Sequence, residues 1–178
     1  MQSLKEEFIE ILSKYQGILH KVNLIYFRSQ TDREDNFQEI TYQLWKSFPR
    51  LQNRESIGSW IYAVSINTSI SRLRKNSLIE YREQLPEAID KIDIVEEISM
   101  NESLRLLLEA IYKLNEIDKS IMLLYLEENS YEQIAGILGI SVSNVGVRIN
   151  RAKKLLKQNL KYLYHGNEWI SEHLEEFW

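Results

Sequence analysis

The sequence predicts an all-α protein made of two small helical domains joined by an acidic linker. Three observations carry that expectation. Apolar residues recur at spacings of three and four along most of the 178 residues, and no segment sustains the alternation of a half-buried strand. Both prolines, Pro49 and Pro86, lie in the first half, so no proline interrupts a helix from residue 87 onward. Charge comes in blocks: +3 over residues 1–75, −6 over 76–103, +3 over 104–165 and −4 over 166–178.

The elements follow in order. Leu4, Phe8, Ile11, Leu12, Tyr15 and Leu19 share one helical face and predict a helix near 3–28. Phe37, Ile40, Leu44 and Phe48 predict a second, near 32–48, which stops at Pro49. After the polar stretch Arg50–Ser56, the residues Ile57, Trp60, Ile61 and Val64 predict a third, near 55–75. Trp60 shares that stripe and is read as core rather than as a stacking platform. Residues 78–100 are acidic, contain Pro86 and read as a linker with at most short helical pieces. The second block predicts helices near 101–113, 117–127, 130–138 and 142–163. The expected domains are therefore 1–77 and 101–164, with the linker at 78–100 and an acidic aromatic tail at 165–178.

The most informative stretch is Ser130–Leu160. Ser130 and Gln133 form an S-x-x-Q capping box, a helix-start signal. Ile134, Ala135 and Leu138 supply an apolar face. Gly139 sits where a left-handed turn residue is wanted, and Ser141 is a good N-cap for the next helix. A short helix, a glycine turn and a capped second helix make a helix-turn-helix. At about 100° per residue, Val145, Ile149, Ala152 and Leu156 fall within roughly 60° of one another and form the core face. Ser143, Val147, Asn150, Arg151 and Lys154 point the other way, a mixture of bases for phosphates and small side chains for base edges. A basic amphipathic helix docking on protein or membrane is the competing reading, but it has no need of the capped turn.

Composition narrows the function. The net charge of −4 speaks against nucleic acid until it is partitioned into its blocks. No acid lies between Glu132 and Glu168, where six bases occur: Arg148, Arg151, Lys153, Lys154, Lys157 and Lys161. With no cysteine there is no disulfide framework, no cysteine zinc site and no thiol nucleophile. The charged N-terminus lacks a signal-peptide core and no apolar run approaches a membrane span, so a cytoplasmic protein is expected. His20, His165 and His173 are scattered, and neither a glycine-rich phosphate loop nor a catalytic constellation is visible. The expectation is a non-enzyme with neither cofactor nor metal.

Three words in the chain carry a resemblance: Asp32–Phe48 (DREDNFQEITYQLWKSF), Ser59–Lys75 (SWIYAVSINTSISRLRK) and Leu114–Leu156, which contains the helix-turn-helix. They resemble the second and fourth domains of the extracytoplasmic-function sigma factors of the sigma-70 family, in the family's order, over about residues 5–162. The resemblance implies a nucleoid-associated transcription initiation factor that binds core RNA polymerase, through its clamp helices and flap, and promoter DNA. It implies core-polymerase contacts at Glu34, Asp35, Gln38 and Glu39, around the D-x-x-Q-E word. For the −10 element it implies a capture loop at Arg50–Ser56, with Arg50, Asn53 and Arg54, and strand contacts near Asn67, Arg72, Arg74 and Lys75. For the −35 element it implies Ser143, Asn144, Val147, Arg148, Asn150, Arg151 and Lys154, with Arg148, Arg151 and Lys154 as phosphate anchors.

The sequence departs from the family pattern at three places. Ser71 stands where an aspartate is common. The recognition word, usually G-T-V-(K/R)-S-R, reads Ser143-Asn144-Val145-Gly146-Val147-Arg148, so a groove-facing base and a serine are replaced by Gly146 and Val147. Loss of a bidentate contact to guanine removes about 1–3 kcal/mol of discrimination. Val147 could still touch a thymine methyl, and Asn144 and Asn150 could read adenine. The expectation is a weak or A/T-biased −35 readout, with promoter choice leaning on the −10 contact or on a recruiting partner. Such a partner would be a DNA-bound recruiting protein, even an RNA-guided one; an anti-sigma factor is a separate expected partner. Third, the tail carries Trp169, Ile170, Leu174 and Phe177 on approximately one helical face among four glutamates. It could pack on its own domain, dock a partner or stay disordered. The alternatives from other classes are a helix-turn-helix regulator with a protein-binding first domain, and a purely protein-binding helical adaptor.

Overall fold

The computed structural model describes residues 3–51, 53–83 and 102–163. These residues form seven α-helices and contain no strand: α1 (Leu4–Tyr26), α2 (Gln30–Ser47), α3 (Ile57–Glu83), α4 (Glu102–Tyr112), α5 (Glu116–Leu126), α6 (Tyr131–Leu138) and α7 (Val142–Leu163). They fall into two compact units, one built on α1–α3 and the other on α4, α5, the first half of α6 and α7, with Gly136–Gly139 grouped with the first. Residues 84–100 of the expected linker, residue 101 and the tail at 165–178 lie outside the described residues. No helix of the described residues is long and apolar enough to cross a membrane.

In the first unit, local chemistry sets each helix boundary. The Ser3 hydroxyl accepts from the Glu6 amide (3.2 Å) while the Ser3 amide donates to Glu6 Oε2 (2.9 Å), so both partners of a capping box are present. Ser29 caps α2 by accepting from the Asp32 amide at 3.1 Å. A single 3₁₀ turn, Phe48–Arg50, follows α2 and holds Pro49 in its first positions, where the missing amide costs nothing. The third helix continues past Lys75 to Glu83. Charge patterning alone put its end near 75, yet residues 76–83 hold neither glycine nor proline, and Pro86 is the first residue that disfavours helix behind it.

Phe8 and Leu19 of α1, Ile40 and Leu44 of α2, Phe48, and Ile57 and Ile61 of α3 form the core. Trp60 packs against it, its ring 6.3 Å from Phe48, in keeping with its place on the apolar stripe. A second layer is polar. Buried Asn36 of α2 donates through Nδ2 to Asn23 Oδ1 of α1 (2.7 Å) and to Ser69 Oγ of α3 (2.8 Å). One amide thus ties all three helices. It also fixes the rotation of α2, because turning Asn36 inward turns its neighbours Asp35, Gln38 and Glu39 outward.

In the second unit, α7 packs on α4 and α5. Ile121, Met122 and Leu124 of α5, Ile134 of α6, and Val145, Ile149, Ala152 and Leu156 of α7 are all fully withdrawn from water. Asn159 of α7 also donates to the Ala110 carbonyl of α4 at 3.2 Å. Two turns share one conformation. At the end of α6, Gly139 has φ +67° and the Ile140 amide reaches back to the Ala135 carbonyl (3.2 Å). At the end of α5, Glu128 has φ +59° and the Asn129 amide reaches the Leu124 carbonyl (3.1 Å). Both are left-handed helix caps, and only one carries the residue that adopts this conformation without strain. Glu128→Gly should therefore stabilise the protein and Gly139→Ala should destabilise it, each by about 1 kcal/mol. Chemical-denaturation midpoints of the two variants check both signs.

Candidate nucleic-acid interface

The helix-turn-helix is built as its residues require. Ser130 accepts from the Gln133 amide (3.2 Å) and its own amide donates to Gln133 Oε1 (2.7 Å), which starts α6. The Glu132 amide and the Ser130 hydroxyl hold the Glu132 carboxyl below the usual carboxylate range. The stabilisation it lends the helix start is thus present above the ordinary carboxylate pKa and is lost as pH falls through the depressed one. Ser141 caps α7 by accepting from the Asn144 amide at 3.3 Å. Val145, Ile149, Ala152 and Leu156 are each 0% exposed, the face expected of them. With that face fixed inward, Ser143, Asn144, Val147, Asn150, Arg151 and Lys154 are all exposed, Val147 at 68%. Gly146 lies beside the ring of Tyr131, which a Cβ at that position would approach to 3.5 Å.

Arg148 differs from its neighbours. Its Nη1 donates to Asp118 Oδ1 at 2.7 Å, and Asp118, on α5, is 0% exposed. Its Nε donates to Asn144 Oδ1 at 3.2 Å. Asp118 Oδ2 also accepts from Asn115 Nδ2 (2.5 Å), while Asn115 caps α5 by accepting from the Asp118 amide (3.0 Å). Arg148 therefore latches α7 to α5. Sequence reading missed Asp118, although the N-x-x-D spacing of Asn115 and Asp118 was a capping signal.

In the first unit, Glu34, Asp35, Gln38 and Glu39 are exposed together on α2. Gln30 donates to Glu34 (2.7 Å) and Gln43 to Glu39 (2.8 Å). Tyr42, 56% exposed, continues the stripe at the next turn, and exposed Trp45 borders it against Phe8. Neither aromatic stood out in the sequence, where apolar spacing drew attention to the buried face instead. Arg72 of α3 lies 3.2 Å from Asp35 Oδ2 and 3.5 Å from Asp32 Oδ1, with its guanidinium 5.8 Å above the Phe27 ring. It joins the expected DNA-facing helix to the expected polymerase-facing one. Arg54 pairs with Glu7 and stacks 4.7 Å over the Phe48 ring. Asn53 accepts from the Glu55 amide (2.9 Å), which folds the 53–56 turn on itself. Arg50, Asn67, Arg74 and Lys75 are exposed.

A three-helix unit with an acidic-amide stripe and a second unit with a capped helix-turn-helix give the layout of a two-domain helical protein that carries a common DNA-binding module. The comparisons with known proteins make that specific. A model of sigma-70 region 2 matches residues 11–79 and one of sigma-70 region 4 matches residues 104–156. The chain belongs to the sigma-70 family, in its extracytoplasmic-function group, and is an RNA polymerase sigma factor. It is 27% identical over 164 residues to the RNA polymerase sigma factor SigV of Bacillus subtilis, covering 89% of this chain and 94% of the relative. It is 26% identical over 174 residues to the ECF RNA polymerase sigma-E factor of Haemophilus influenzae, covering 91% and 92%. Its fold is similar to that of the sigma factor RpoE in complex with the anti-sigma factor NepR from Bartonella quintana (TM-score 0.65, 18% identity, 88% of this chain and 96% of that one). It is also similar to CnrH in complex with the cytosolic domain of CnrY (TM-score 0.58, 17% identity, 89% and 90%). With both regions matched, a regulator that merely shares the helix-turn-helix is not favoured.

The latch separates two arginines three residues apart. Arg148→Ala leaves the buried Asp118 carboxylate without its cation and should cost about 3 kcal/mol of stability. Arg151→Ala, on the exposed face, should change stability by no more than about 0.5 kcal/mol. Thermal unfolding of the two variants tests the contrast.

Proposed function

We propose that this sigma factor docks on core RNA polymerase through the α2 stripe and meets the −10 element with residues 50–56 and the α3 face. We further propose that it reads the −35 element only weakly through α7. The observation that carries this reading is the exposed face of α7. Where related recognition helices present a base-reading cation and a serine, this chain presents Gly146 and Val147, and the guanidinium of Arg148 is spent on Asp118. Arg151 and Lys154 remain to neutralise phosphates, a contribution that carries no sequence information. Val147 offers an apolar contact to a thymine methyl, which biases the readout towards A·T pairs.

The chain itself is non-catalytic in this reading, since polymerase forms the phosphodiester bond, and it works in the cytoplasm at the nucleoid. Its first domain, which ends with α3 rather than at residue 77, serves polymerase and the −10 element, and residues 101–164 serve the −35 element. Promoter choice leans on the −10 contact or on a partner that brings the holoenzyme to DNA. That partner is a DNA-bound recruiting protein; an anti-sigma factor acts separately, as a switch that withholds the chain from polymerase.

Among the residues assigned to the −10 strand, exposed Lys75 and Arg50 bear most of the phosphate contact, whereas Arg72 and Arg54 enter with acidic partners already engaged. Gln38→Ala/Glu39→Ala should weaken core-polymerase binding at least tenfold with no change in melting temperature, because both side chains are exposed. Gly146→Lys/Val147→Ser, which restores the family word, should raise −35-dependent transcription about tenfold, as one added base contact of about 1–3 kcal/mol predicts. Competition binding with core enzyme and run-off transcription measure the two effects. Unchanged core affinity in the first variant would remove α2 as the docking element.

A further inference from the structure

The contact between Arg148 and Asn144 has a consequence for base choice. An arginine side chain only donates hydrogen bonds, so the Asn144 atom that meets Arg148 Nε at 3.2 Å is the carbonyl oxygen. The amide nitrogen of Asn144 keeps its donors for a ligand, while the oxygen is held towards the guanidinium with only its second lone pair left. Asn144 is exposed in the first turn of α7, the turn from which a recognition helix reaches base edges. Asparagine reads adenine in the major groove by a paired contact, accepting from N6 through Oδ1 and donating to N7 through Nδ2. That pairing needs the oxygen turned to the base, whereas here it is turned to a guanidinium held by a buried carboxylate.

We propose that Asp118, acting through Arg148, is a specificity-determining positioning residue that fixes Asn144 as a hydrogen-bond donor. This inference rests on α7 being the −35 reader. In the promoter complex Asn144 then favours the acceptor at guanine O6 or thymine O4, where adenine presents a donor instead, and is drawn away from the paired adenine contact. Asp118 touches no DNA itself. It is seated on α5 by Asn115 Nδ2 at 2.5 Å and holds Arg148 Nη1 at 2.7 Å, so the polarity of one exposed side chain is set from inside the domain core. Arg148 is accordingly a positioning group as well, rather than one of the phosphate anchors that its place in a basic run suggests.

The test uses the full chain with core polymerase on a promoter library randomised across the −35 element, with transcripts sequenced. Four proteins are compared: wild type, Asn144→Ala, Arg148→Lys and Asp118→Leu/Arg148→Met. Lysine keeps a cation for Asp118 but has no Nε to hold Asn144. The Leu/Met pair replaces the ion pair by apolar groups, an exchange that is often neutral or stabilising, so that one folded variant is secured. Wild type should favour guanine or thymine on the contacted strand at one position, and Asn144→Ala should lose that preference. Arg148→Lys and the double variant should both shift the same position towards adenine by about tenfold. If Asn144→Ala changes the profile and neither Arg148 variant does, the positioning role is overturned while α7 remains the reader. If wild type itself shows no preference anywhere in the −35 region, this inference fails, while the reading of α7 as a weak, mainly phosphate-binding element stands.

Discussion

The rotation of α7 is the constraint on which the functional account depends. Four side chains at helical spacing, Val145, Ile149, Ala152 and Leu156, are wholly withdrawn from water. Full burial of four apolar groups stabilises the docking by several kcal/mol, roughly 1.5–3 kcal/mol for each large side chain. No other rotation of the helix buries them all. What α7 offers to a ligand is consequently whatever the sequence placed between these positions: Ser143, Asn144, Val147, Asn150, Arg151 and Lys154. Arg148, at the border, is drawn to Asp118 and tightens the same arrangement. The first unit obeys an equivalent rule, with Asn36 bonded to both neighbouring helices and the acidic-amide stripe of α2 thereby turned outward.

Charge acquires a different meaning once partners are known. The net value of −4 conceals two blocks of +3, and the blocks conceal a further division. Arg54, Arg72 and Arg148 are engaged by Glu7, by Asp35 and Asp32, and by Asp118, and two of them also lie over aromatic rings. An ion pair at an exposed position contributes at most about 1 kcal/mol, so Arg54 and Glu7 are readily exchanged for other partners. The Asp118 pair has one fully buried member and is not. Cations that look equivalent in a basic run are therefore unequal in their availability to phosphate.

Much of this was legible in the sequence. Apolar spacing located all seven helices of the described residues, the S-x-x-Q word and Gly139 located the turn, and the fully buried face of α7 was found residue by residue. These features are local, or repeat with the period of a helix, and so leave a trace in one dimension. The length of α3 was underestimated because the chain changes charge near residue 75 without changing helix propensity. The left-handed Glu128 gave no signal, since nothing in a glutamate announces positive φ. The pairs Arg148–Asp118 and Arg72–Asp35 join residues 30 and 37 apart, and only folding reveals them. Tyr42 and Trp45 lie off the apolar stripe of α2, and apolar spacing points to the buried face alone.

The account's central claim is that this sigma factor selects promoters with little base-specific help from α7. The most direct measurement is transcript-start mapping with purified core polymerase and the full chain on genomic DNA. The account predicts start sites that share a −10 element and carry at most a short, A/T-rich −35 element. A strong G/C-rich −35 consensus, with activity abolished when it is scrambled, would contradict it.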